Sequence, residues 1–176
     1  MRLTSWVVEL QQAIRERRTH KQFGSRPVDE ATVRTLLDLA RYAPNHHLTQ
    51  PWRFRILGPE TRSALENAAG QKEAVKLRRA PTLVLATAVL SGDPRTDRED
   101  LLATGCAVFA VLLGATEVGL ASYWRTPAAL ELDEARAVLG LDPSESVVAL
   151  IHLGPKLTDP PEKERNPVGT VLQVLP

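Results

Sequence analysis

The order of apolar patterns along this 176-residue chain predicts a domain of alternating helices and strands, with an α/β crossover sheet as its first reading. Three observations carry that prediction. Short runs at residues 52–56, 82–90, 122–124 and 147–153 read as strands, by period-two alternation or by an apolar character on both faces. Segments of helical periodicity separate them. No repeat or low-complexity tract interrupts the series, and the length suits one domain, residues 1–176, with a sizeable core.

Each element has its own warrant. Residues 5–16 read as a helix with Trp6, Leu10, Ala13 and Ile14 on one face and Arg15, Arg17 and Arg18 at its C-terminal end, where positive charge is favoured. Asp29 caps a second helix, with Val33, Leu36, Leu37 and Ala40 at amphipathic spacing. Pro44 stops it by pushing Ala43 out of the helical region. The strand at Trp52–Ile56 alternates. Residues 60–79 predict one or two exposed helices broken near Gly70, and Pro81 opens a central strand. Residues 91–98 read as a polar loop. The apolar run from Leu101 to Leu120 reads as a buried helix closed by Gly119 as a left-handed cap, with Cys106 a small core residue. A short strand, a helix from about Asp133 closed by Gly140, and a last strand follow. Residues 156–176 read as an extended tail lying along a surface or a partner subunit.

Composition sets bounds. The 22 basic and 21 acidic residues leave a net charge of +1, with no general pull on nucleic acid or anionic membrane. One cysteine allows no intrachain disulfide. The Leu101–Leu120 run is nearly long enough to span a bilayer, but its Thr, Gly and Glu residues and missing anchors favour a core helix. The N-terminal residues have no long apolar signal core, so a cytoplasmic protein is expected. No Gly-x-Gly-x-x-Gly and no P-loop occurs.

Two stretches concentrate the chemistry. Arg17-Arg18-Thr19-His20-Lys21-Gln22-Phe23 puts three fixed cations and a hydroxyl into five residues and closes with an aromatic. Arg clamps a phosphate through two parallel hydrogen bonds, and Lys adds a mobile point charge. Because the stretch follows a helix C-terminus, its cations must outweigh a dipole that repels anions. Read alone, it is also what a solvated basic helix end looks like. Asn45, His46, His47 and Thr49 form a polar loop after a helix stop and lead through Gln50 and Pro51 to Trp52. Such a loop supplies donors and acceptors to the edge of a conjugated ring, although an ordinary polar loop has the same composition. His20 and His152 are the other histidines, and no metal-ligand spacing links the four.

Together these stretches resemble the nitroreductase family of FMN-dependent oxidoreductases, in particular its small members. The first matches an Arg-x-Ser/Thr-x-Lys/Arg-x-Phe pattern, and the second, Ala43-Pro44 through Gln50-Pro51-Trp52-Arg53-Phe54, matches Ala-Pro-…-Gln-Pro-Trp-x-Phe. The apolar helix leading through Gly119 to Trp124-Arg125-Thr126, and the final run into Leu153-Gly154-Pro155, are similar to later family segments. The resemblance covers roughly residues 14–57 and 100–155. It implies an α+β fold, a mostly antiparallel central sheet surrounded by helices, in an intertwined homodimer with flavin at the subunit interface. It implies FMN as cofactor, NAD(P)H as electron donor, and a nitroaromatic, quinone or similar small-molecule acceptor, in ping-pong order, with no metal.

The implied site residues are these. Arg17 and Arg18 hold the phosphate or ribityl region, assisted by Thr19. Lys21 stabilises the reduced ring. Asn45 and His46, with Gln50, line the ring, partly from the opposite subunit, and Trp124, Arg125 and Thr126 complete the cover. No residue stands out as an obligatory acid or base. There are departures: Lys21 stands where many members have Arg, and Tyr42 precedes Ala43-Pro44 where small members often place Arg. Arg41 is one helical position, about 100°, away from that place. Late in the tail, Lys163 and Arg165 are available as phosphate ligands. Two other readings stand beside this one: a non-catalytic flavin-binding sensor or carrier, and a basic-surface nucleic-acid binder using Arg17, Arg18, Lys21 and Arg53, which the near-neutral charge disfavours.

Overall fold

The computed structural model describes residues 10–176. The part of the first predicted helix that holds Trp6 lies outside them. Six α-helices and four strands follow in the order α1 (Leu10–Glu16), α2 (Glu30–Ala40), β1 (Trp52–Ile56), α3 (Pro59–Ala68), α4 (Gln71–Leu77), β2 (Thr82–Val89), α5 (Pro94–Glu117), β3 (Leu120–Arg125), α6 (Asp133–Leu139) and β4 (Glu145–Pro155). The sheet order is β1-β2-β4-β3, and every pairing is antiparallel.

This is the α+β architecture the resemblance implies, and it corrects the crossover sheet that periodicity alone suggests. A central strand covered by helices on both faces is apolar throughout whichever way its neighbours run. Burial therefore leaves a mark in sequence, and direction does not. β4 returns between β2 and β3, so the helix α5 that joins β2 to β3 is not a crossover between adjacent strands.

Alternation divides the sheet into two faces. Val84, Ala149, Ile151 and Leu153 meet α2 and α5 through Val33, Leu36, Val108, Val111 and Leu112. Leu83, Leu85 and Leu150 meet α3, α4 and α6 through Leu65, Leu77 and Leu139. Leu65 and Leu77 have no exposed surface, so the helices read as exposed are amphipathic and anchored.

Caps set the helix boundaries. Asp29 accepts from Thr32 N at 2.8 Å and starts α2 as expected. Asp93 does the same for α5 through Thr96 N at 2.8 Å, with Pro94 at the first helical position. The expected polar loop at 91–98 is therefore half helix. Gly119 and Gly140 take φ of 74° and 61°, the left-handed closures the sequence predicts.

The long apolar helix departs from expectation. Only one face of α5 is buried; Leu102 is 63% and Phe109 39% exposed, and Cys106 between them is on the surface. Cys106 is thus no core residue. An all-round apolar helix carries no stripe to say which face meets the sheet. Beyond β4 the chain forms no further α-helix or strand among the described residues, only a short 3-10 turn at Val168–Thr170.

Candidate functional site

The first motif is pinned at two points. His20 N donates to Ser122 O of β3 at 3.0 Å, and Gly24 N donates to Pro155 O of β4 at 2.9 Å. His20 and Phe23 are buried, while Thr19, Lys21 and Gln22 face outward. Gly154 makes room for this crossing: a Cβ there would lie 2.7 Å from Pro81 Cδ and 3.2 Å from Phe23 Cβ.

The outward side chains line a cleft of about 600 Å³, whose far wall is the tail. Arg17, Arg18, Thr19 and Lys21 meet Lys163 and Arg165 there. Five cations face one space. Arg18 reaches Glu162 at 3.5 Å, and Asp159 pairs with Lys156 at 2.9 Å, so local acids offset part of the charge only. The Arg17 guanidinium is pushed below its ordinary range by burial, and further by Arg165 and Arg18. That repulsion is what a bound anion relieves. Thus the two late cations of the tail do join the early cluster, which only the folded path of the chain could establish.

The second motif lies elsewhere. Asn45 Oδ1 accepts from Gln50 N at 3.0 Å, and Asn45 Nδ2 donates to Ala43 O at 3.0 Å. Thr49 Oγ1 donates to Asp100 Oδ1 at 2.7 Å, and His46 Nδ1 lies 2.6 Å from Glu99 Oε2. His47, Leu48 and Gln50 hold φ of 52°, 54° and 44°. Left-handed non-glycine residues cost on the order of 1–3 kcal/mol each and tend to cluster where function requires them. Glu99 and Asp100, at the start of α5, are site neighbours that sequence reasoning passed over. Their only signal was a pair of acids opening an apolar helix.

Beside this loop an apolar groove of about 730 Å³ runs between Leu39, Tyr42, Leu102, Phe109 and Trp124. Trp124 faces α5 and donates from Nε1 to Val148 O at 3.0 Å. Its neighbour Arg125 points to the other side of the sheet, where Nη2 donates to Glu73 Oε2 at 2.8 Å and the side chain is 9% exposed. Strand alternation forces this separation. Trp124 and Arg125 therefore do not converge on one space, and Thr126, exposed just past the strand end, follows them. Arg41 is also apart, paired with Asp38 at 2.9 Å on the outer face of α2. Within one chain the cationic cleft and the Asn45–His46 loop share no lining residue. Among the described residues no cluster of His, Cys, Asp or Glu is arranged to hold a metal ion.

The model of the nitroreductase family matches residues 14–76 and 69–155. The chain belongs to the nitroreductase family. It is 31% identical over 175 residues to YfhC of Bacillus subtilis strain 168, which bears the name "Putative NAD(P)H nitroreductase", covering 90% of each chain. Among solved structures, a nitroreductase-like family protein from Bacillus cereus superposes with a TM-score of 0.88 at 22% identity, covering 96% of both chains. A Desulfovibrio desulfuricans protein solved in complex with FMN gives a TM-score of 0.77 at 25% identity, covering 95% of this chain and 96% of that one. The helix α5 is long and apolar enough to cross a membrane, and half of its most apolar stretch is buried inside the molecule.

Proposed function

We propose that the protein is an FMN-dependent oxidoreductase that takes electrons from NAD(P)H and passes them to a nitroaromatic, a quinone or a similar electron-poor acceptor. The observation that carries the reading is the cationic cleft, where Arg17, Arg18, Lys21, Lys163 and Arg165 face one space with too few acids to balance them. That donor set fits a phosphate monoester, and the chain has no Gly-rich loop for a dinucleotide, so FMN rather than FAD is the flavin. When bound, FMN supplies a two-electron carrier that lets donor and acceptor react in turn, a ping-pong sequence.

The chain's own residues then have positioning and electrostatic tasks. Arg17 and Arg18, with Arg165 from the tail, hold the phosphate. Thr19 adds a short polar contact. Lys21 is exposed and carries a mobile ammonium to the pyrimidine edge of the ring, where it favours negative charge. Asn45, His46 and Gln50 line a ring held by the opposite subunit, and Trp124 contributes apolar cover. Arg125, tied to Glu73, acts on the fold and reaches the site only through the strand it ends.

A homodimer follows from the same division. The two halves of the site are separate within one chain, and the groove along Leu102, Phe109 and Trp124 is open. Val171, Leu172, Val174 and Leu175 of the tail are more than half exposed as well. A second copy covers both apolar surfaces and brings one chain's loop to the other's cleft.

The decisive measurement is the absorption spectrum of the purified protein. It is expected to be that of a bound flavin, with FMN released on heating, bleached by NAD(P)H and restored by a quinone. Colourless protein that added FMN cannot reconstitute would sink the proposal. Flavin that binds but never turns over would leave a carrier or sensor.

A further inference from the structure

His46 opens the strained loop and rests against the first turns of α5. Its Nδ1 is 2.6 Å from Glu99 Oε2, and Arg95 approaches the other Glu99 oxygen at 3.6 Å. The ring stacks on His47 with centroids 3.9 Å apart and planes 27° from parallel. The remaining charged neighbour on α5, Asp100, is engaged by Thr49. A carboxylate on one ring nitrogen fixes the tautomer and leaves the other nitrogen to work. The ring is half exposed, so that second nitrogen has access to a shallow cleft. Pro44, Leu102, Ala103 and Cys106 form the apolar wall of this cleft, and Asn45, His46, Arg95 and Glu99 its polar edge. A flat ring with an oxygen on its rim fits such a lining.

Three left-handed residues, His47, Leu48 and Gln50, hold the loop in this shape. An exposed His–Glu pair contributes little to stability by itself. The strain is explained if the aim of the imidazole is what the loop secures.

We propose that His46 is the proton donor to the electron acceptor and that Glu99 is its positioning residue. This rests on the oxidoreductase reading above. For a quinone the balance is NAD(P)H + H⁺ + quinone → NAD(P)⁺ + hydroquinone. NAD(P)H is oxidised and supplies two electrons and one proton as a hydride equivalent. The second proton leaves Nε2 of the His46 imidazolium as an O–H bond forms on the quinone oxygen. Water then reprotonates the imidazole. Glu99 accepts the hydrogen bond from Nδ1–H and so holds Nε2 toward the cleft.

Stopped-flow reoxidation separates proton-coupled from proton-free acceptors. His46→Gln is expected to lower the ratio of the benzoquinone rate to the ferricyanide rate at least tenfold, and added imidazole is expected to restore much of it. Glu99→Gln is expected to lower the same ratio and to change its pH profile, and Glu99→Asp to recover part of it. A structural lesion moves both rates together. A direct readout needs no turnover: histidine ¹⁵N NMR of the flavin-free protein is expected to show neutral His46 protonated at Nδ1, a preference that weakens in Glu99→Gln. An unchanged ratio in His46→Gln protein that is yellow and reduced by NAD(P)H would overturn the dyad alone, as would an Nε2–H tautomer. A wild-type protein that binds no flavin overturns the dyad together with the reading beneath it.

Discussion

Single residues show where burial has forced chemistry. His152 on β4 has no exposed surface, lies 5.8 Å from the Tyr123 ring and 6.3 Å from the Phe23 ring, and neither ring nitrogen finds a partner. Burial, then the nearby Arg125, Arg62 and Arg79, lower its pKa to about 3, so it stays neutral in the native protein. The unfolded chain takes up that proton near its ordinary value of about 6.5. Since the unfolded state then binds more protons, stability is full above pH 6.5 and is lost as pH falls toward 3, by up to about 1.4 kcal/mol per pH unit. Glu145 titrates in a lower window. Hydrogen bonds from Arg55 at 2.6 and 2.7 Å, with Thr87 assisting, depress it to about 2, so its contribution is lost only as pH drops from about 4.5 through 2. Between pH 6.5 and 5 His152 therefore dominates this pair of effects. His152→Leu, similar in volume, is expected to reduce the fall in stability over that range, leaving the smaller share of buried His20, whose pKa burial also lowers. Urea titrations at pH 7 and pH 5 check it, and parallel losses in both proteins would dispose of the account.

At the scale of elements, the crossing of the first motif over β4 links fold to site. Gly154 lies under Pro81 and Phe23, and the rigid Pro81 ring cannot give way to a Cβ at 2.7 and 2.9 Å. Gly154→Ala is expected to lower stability by about 1–3 kcal/mol, the usual range for overpacking. Phe23 anchors the segment that carries Arg17 to Lys21, so FMN affinity is expected to fall as well. Thermal melts and FMN titration test both halves. A variant with normal stability and normal affinity would show that the crossing is loose. Gly114 of α5 faces Leu36 and Leu39 of α2 closely too, but Leu39 is partly exposed and can turn aside. It is the poorer probe.

For the whole molecule, the proposed homodimer would supply both the missing apolar cover and the second half of the site. The outer face of α5 exposes Leu102 and Phe109, and the tail exposes Val171, Leu172, Val174 and Leu175. Obligate interfaces of this apolar kind bury about 2,000 Å² or more. Sedimentation at micromolar concentration is expected to give about twice the 19.4 kDa chain mass. Phe109→Asp is expected to shift the protein toward monomer and to strip its flavin. A monomeric wild type that keeps FMN and oxidises NAD(P)H would refute a shared site.

Periodicity and punctuation determined the elements. Asp29 before its amphipathic run, Pro44 and the two helix-closing glycines 119 and 140 act through the local backbone, within a few residues, so they are legible in sequence. The first motif was legible as a basic cluster for the same reason. What only the tertiary structure decided involves residues far apart along the chain or directions that leave no pattern. Strand direction is one case, because a strand covered on both faces has the same composition whether its neighbours run parallel or antiparallel. The exposed side of α5 is another, because a helix apolar all round carries no stripe. The arrival of Lys163 and Arg165 beside Arg17 depends on the path of the tail, and the pairing of His46 with Glu99 depends on how a loop docks on a helix 53 positions away. The opposite outlooks of Trp124 and Arg125 were written in the two-residue period of β3, but their meaning required knowing what stood on each side of the sheet.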